Sequence, residues 1–157
     1  MTYRRGTVTL LGPDDTVRIG GPRRHEPPRV VAALHELPGD GPVLAEAVAA
    51  ARRMGGELVL VHAVPLSFAE RSVGLEEAVR RGERMLAAAA ASAAAAGVAP
   101  KEALLVRVRP HELVGAPVEA DLLVIGGPPA DDPQRLGPVT RSAARYAPCA
   151  LLVVPRP

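Results

Sequence analysis

The chain has 157 residues, 48% of them hydrophobic, which is enough for one buried core and includes no apolar run long enough to cross a bilayer. A formal charge of +2 with 2% aromatic residues and no Trp excludes the usual nucleic-acid reader, which joins a concentrated basic face to stacking rings. No apolar leader follows Met1-Thr2-Tyr3-Arg4-Arg5, and the single Cys149 lies inside an apolar run. The expectation is a cytoplasmic domain without disulfides, bound to neither nucleic acid nor membrane.

Residues 1–28 read as an extension and linker. Thr7-Val8-Thr9-Leu10-Leu11 and Thr16-Val17-Arg18-Ile19 alternate around Gly12-Pro13-Asp14-Asp15, the pattern of a small hairpin, and Gly20 to Pro28 is rich in proline and charge. The domain proper is expected over residues 29–157. Arg29-Val30-Val31-Ala32-Ala33-Leu34 is its first strand, and Val43, Leu44, Ala47, Val48 and Ala51 mark one face of a helix that Gly55-Gly56 ends. Glu57 to Pro65 is the second strand. Leu75 to Ala96 is the longest helix, rich in Ala, with Gly97 as its stop. Ala103 to Val108 is the third strand, and Pro110 to Val114 is at most a short helix because Gly115 and Pro117 follow.

The last part of the chain carries the most information. Leu122-Leu123-Val124-Ile125 is wholly apolar, as a strand buried on both faces should be, and is expected to stop at Gly126-Gly127. Pro138 to Ala147 fits a helix with Pro in its first turn, and Ala150 to Val154 is a final strand. In such a unit the loop leads from a strand into the amino end of a helix, where unpaired N–H groups and the dipole favour an anion. A phosphate site is the resulting hypothesis, with Gly127 and Gly137 allowing close backbone approach. Pro128, Pro129, Pro133 and Pro138 oppose it, since each lacks an N–H donor.

The segment from Ala120 to Val154 resembles the C-terminal half of the universal stress protein family. Ile125-Gly126 matches the approach to the family's glycine motif, Gly137-Pro138-Val139-Thr140 its end, and Ala147 to Val154 its closing strand. His62-Ala63-Val64-Pro65 is similar to the end of the family's second strand. The resemblance implies an α/β fold: an open, mostly parallel, five-stranded doubly wound sheet, Rossmann-like, in the order 3-2-1-4-5. It also implies a homodimer through the last strand, and it carries candidate adenine-nucleotide contacts onto His35, Ala63, Gly126, Gly127, Gly137, Val139 and Thr140.

The motif is altered where it should hold ATP. Its second glycine is replaced around Pro129, the loop is shorter than the family's, and Pro138 stands in place of a phosphate-contacting Ser. His35 falls where the family places an Asp that holds the adenosine, and an imidazole cannot offer two acceptor oxygens. Glu36 and Asp40 are nearby carboxylates that read as ordinary loop charge.

No enzyme is expected, because His25, His35, His62 and His111 are scattered without metal-ligand spacing and no nucleophile pairs with a base. The reading is therefore a universal-stress-type regulatory or interaction module, with an unidentified protein partner and no ATP or other cofactor. Its alternative is a nucleotide-binding member with an altered pocket that takes ATP, AMP or another anion at the Gly126 to Thr140 loop. A small enzyme on the same architecture rests on fold analogy alone.

Overall fold

The computed structural model describes residues 8–10, 17–19, 25–64, 72–107, 119–129 and 149–156. Its strands are β1 (Val8–Leu10), β2 (Val17–Ile19), β3 (Arg29–Ala33), β4 (Glu57–Val64), β5 (Glu102–Arg107), β6 (Leu122–Pro129) and β7 (Ala150–Arg156). Its helices are α1 (Gly41–Met54) and α2 (Val73–Ala95). One seven-stranded sheet runs β1-β2-β7-β6-β3-β4-β5. The five strands from β5 to β7 are all parallel, in the order expected for the doubly wound fold. β1 and β2 form an antiparallel hairpin, and β2 continues the sheet by pairing antiparallel with β7.

Strand side chains alternate between two apolar layers, as the period of two requires. Val30, Ala32, Leu58, Leu60, Leu122, Val124 and Leu152 enter one layer together with α1 and α2. Val31, Val59, Val61, Leu123, Ile125, Leu151 and Val153 enter the other, along with Cys149. Both layers are closed to water at β3 and β4, which is why those strands read as continuous apolar runs. Fully burying each Val or Leu contributes about 1.5–3 kcal/mol.

The helices begin earlier than periodicity alone suggests. α1 starts at Gly41 with Pro42 in its first turn and is capped by Gly55 at φ 61, a left-handed conformation that Gly adopts without strain. α2 starts at Val73 because the Ser72 hydroxyl oxygen accepts from the Leu75 N–H at 3.0 Å. Gly82, Leu86, Ala89 and Ala93 form its buried stripe, whereas Ala87, Ala88 and Ala91 face water. The alanine run thus serves close packing on one face and helix propensity on the other.

One boundary corrects the sequence reading. β6 does not stop at Gly126-Gly127 but runs on to Pro129, which pairs with Arg156 after a register shift beyond Gly126. The ladder resumes because β7 itself extends to Arg156, and Pro still has a carbonyl to offer. The short helix expected over Pro110 to Val114 and the helix expected over Pro138 to Ala147 lie outside the described residues.

Candidate functional site

The register of the sheet brings some of the candidate residues to one level. Ala32 pairs with Val124 and Ala33 with Val61, so His35 beyond β3, Gly127 in β6 and Ala63 in β4 lie equally far past paired positions. β3 stands between β4 and β6, and the chain reverses its direction of winding between β3 and β6. His35, Ala63 and the Gly126-Gly127 pair therefore line the carboxyl edge at the switch point, where open α/β sheets bind ligands. Gly137, Val139 and Thr140 lie outside the described residues.

The loop after β3 is held by its own carboxylate. Asp40 is 1% exposed, and its Oδ2 accepts the N–H groups of His35 at 2.6 Å and Glu36 at 3.1 Å. Asp40 N–H in turn donates to Glu36 O at 2.9 Å, and Gly41 N–H to Pro38 O at 2.9 Å. Asp40 occupies the N-cap position of α1 but turns its carboxylate back onto the loop instead of onto the helix N–H groups. Its charge still sits at the positive end of the α1 dipole. The reading of Asp40 as ordinary loop charge is thus corrected: it is an internal acceptor that fixes His35 and Glu36. An Asp two residues before a Pro that opens a helix was the signal for it.

His35 is exposed, and its ring stacks near that of His62, with centroids 6.4 Å apart and planes at 29°. The His62 Nδ1–H donates to Leu34 O at 2.9 Å, which fixes that ring's tautomer and leaves Nε2 as the acceptor of the neutral form. α2 leaves room for the ring at Gly82, where an added Cβ would come within 2.7 Å of His62 Cδ2 and 2.9 Å of Leu105 Cδ1. His62 is therefore a half-buried strut between β3, β4 and α2.

Gly127 has a packing role of its own. A Cβ there would lie 2.9 Å from Val153 Cγ1 and 3.3 Å from Val154 O, so the absence of a side chain is required by β7. A cleft of about 500 Å³ between α1 and α2, lined by residues such as Leu37, Leu44, Val48, Arg52 and Ala93, contains none of the candidate contacts. Among the described residues no group of three or more His, Cys, Asp and Glu could hold a metal ion, and no helix is long and apolar enough to cross a membrane.

At the opposite, amino edge lies a polar cluster that the sequence reading missed. Asp121, 1% exposed, accepts from His25 N–H at 3.1 Å and from Arg29 N–H at 2.8 Å, and its Oδ2 lies 2.9 Å from His25 Nδ1. Glu119 approaches His25 Nε2 at 3.4 Å. The signal was an Asp immediately before a wholly apolar strand, where it meets the start of the neighbouring strand.

The sheet order agrees with a direct comparison. The profile described as the universal stress protein family matches residues 28–155. The chain belongs to the universal stress protein family. A universal stress protein from Archaeoglobus fulgidus superposes with a TM-score of 0.62 at 25% identity, covering 83% of this chain and 98% of that one. UspA from Lactobacillus plantarum gives 0.67 at 18% identity, covering 83% and 99%. An Archaeoglobus fulgidus universal stress protein in complex with dAMP gives 0.59 at 23% identity, covering 83% and 97%. No curated protein matches the chain. The β1–β2 hairpin precedes the matched span.

Proposed function

We propose that this universal stress protein is a regulatory or interaction module that does not use ATP. The observation carrying this reading is the loop after β3. The position at which the family resemblance places an adenosine-holding Asp is occupied by exposed His35, and the nearest internal carboxylate, Asp40, accepts the N–H groups of His35 and Glu36. Asp40 is buried and bonded within the loop, so it does not stand in for the missing carboxylate. Loss of two charge-assisted bonds to a ribose or adenine costs about 1–3 kcal/mol each, which raises a dissociation constant by roughly 10² or more. Gly127 supports the same reading, since its lack of a side chain is accounted for by Val153 and Val154.

The second reading, a nucleotide-binding member with an altered pocket, is favoured by three comparisons: solved structures of the same fold hold cAMP, dAMP and AMP. The carboxyl edge at His35, Ala63 and Gly126 is where such a ligand would meet this sheet. Isothermal titration of the full chain with ATP, ADP and AMP separates the two. The first reading expects no heat of binding at micromolar nucleotide, and a micromolar ATP affinity that is lost on Gly137→Val would replace it with the second.

A further inference from the structure

α1 and α2 cover the same face of the sheet, since both contribute to the apolar layer of Leu58, Leu60 and Leu122, and a cleft of about 500 Å³ lies between them. That volume suits a small molecule, whereas a protein partner needs roughly 800 Å² of surface on each side. The cleft follows one stripe of α1, from Gly41 through Leu44, Ala45, Val48 and Ala49 to Arg52, positions three and four apart. At ~1.5 Å per residue the stripe is about 16 Å long. Its α2 wall is Ser92, Ala93 and Ala96, at the carboxyl end of that helix, and Leu37 and Pro38 line the end beside the start of α1. Apart from Arg52 and the Ser92 hydroxyl, the described side chains of the lining are apolar.

Arg52 is held in place at one end of this cleft. Its Nη2 donates to Ala96 O, and an added Cβ at Gly97 would lie 2.8 Å from the same nitrogen. Gly97 is at φ 93, so the residue that follows α2 both turns the chain and leaves room for the guanidinium. One carbonyl takes one donor of the five-donor fork, and further donors face a second acceptor. We infer that the α1–α2 cleft binds a medium-chain fatty carboxylate, with the carboxylate on Arg52 and the chain running along Leu44 and Val48 toward Leu37. An apolar trough with one cation at its end is complementary to an amphipathic monoanion. Both helices end near Arg52, and their negative dipole ends disfavour surplus anionic charge there. A carboxylate, which a guanidinium neutralises through two parallel N–H bonds, therefore fits better than a phosphate monoester of nearly two charges. A fully extended chain advances about 1.2 Å per covalent bond, so roughly twelve carbons span the stripe. The tail then meets Leu37 and Pro38, in the loop that Asp40 secures. None of these residues is a candidate nucleotide contact, so the inference stands whether or not a nucleotide binds at the carboxyl edge.

Isothermal titration of the full chain with octanoate, decanoate and dodecanoate, each below its micelle-forming concentration, tests it. A methylene removed from water tightens binding by up to about fourfold, so the dissociation constant should fall at least about tenfold from octanoate to dodecanoate. Arg52→Gln keeps the stem and removes the charge. It should weaken dodecanoate by about tenfold or more and leave the affinity for decanol unchanged, and Arg52→Lys should recover much of the loss. Ala45→Phe fills the cleft from an exposed position and should abolish binding of all three carboxylates, with the circular dichroism spectrum and Tm of the wild type. Decyl phosphate should bind more weakly than decanoate. No heat with any carboxylate, an affinity unchanged by Arg52→Gln, binding that survives in folded Ala45→Phe, or tighter binding of decyl phosphate would each overturn the inference.

Discussion

Asp40 and Asp121 are the two buried carboxylates among the described residues, and each sits where backbone N–H groups converge outside the regular ladder. Removing such an acceptor leaves buried donors unsatisfied at about 1–3 kcal/mol each. Asp40→Ala should lower stability by about 2–3 kcal/mol, and urea unfolding of the purified chain measures it. A Cm unchanged from wild type would mean that water takes over those N–H groups. Gly82 is tested in the opposite sense. Gly82→Val inserts branched carbon against His62 and Leu105 in a packed layer, and overpacking of this kind costs about 1–3 kcal/mol. The same substitution with His62→Ala should recover part of the loss. In the sequence the Asp roles were marked only by position, Asp40 ahead of a helix-opening Pro and Asp121 ahead of an apolar strand, because a carboxylate near a turn looks the same whether it faces water or backbone.

Elements were more legible than their ends. β3, β4, β6 and β7 were evident because strands covered on both faces are apolar without interruption, and α1 because its apolar positions fall on one face. Their limits depended on single hydrogen bonds: Ser72 starts α2 ahead of its first apolar turn, and pairing with Arg156 carries β6 past two glycines into proline. Ser72→Ala should accordingly destabilise α2 by about 1 kcal/mol, read as a Tm decrease, and no change would indicate that Glu76 and the packing of Leu86 already fix the helix start. The hairpin was legible as two alternating strands around a turn, but its attachment to β7 was not, since register between distant strands leaves no local pattern.

At the scale of the whole molecule, a five-stranded parallel sheet of the universal stress protein family is extended on one side by a hairpin from residues the family profile does not cover. Its carboxyl edge keeps the switch point but has His35 in place of the carboxylate that the family resemblance puts there. The strand order came from the resemblance and not from the pattern of apolar residues, which fixes that strands exist and are buried but not which are neighbours. The central claim is that this carboxyl edge does not hold ATP, and it is tested most directly by extracting the nucleotide from the full chain purified under native conditions and quantifying it by chromatography. The account predicts no ATP above a trace relative to protein. A near-equimolar ATP content, retained through gel filtration, would contradict it.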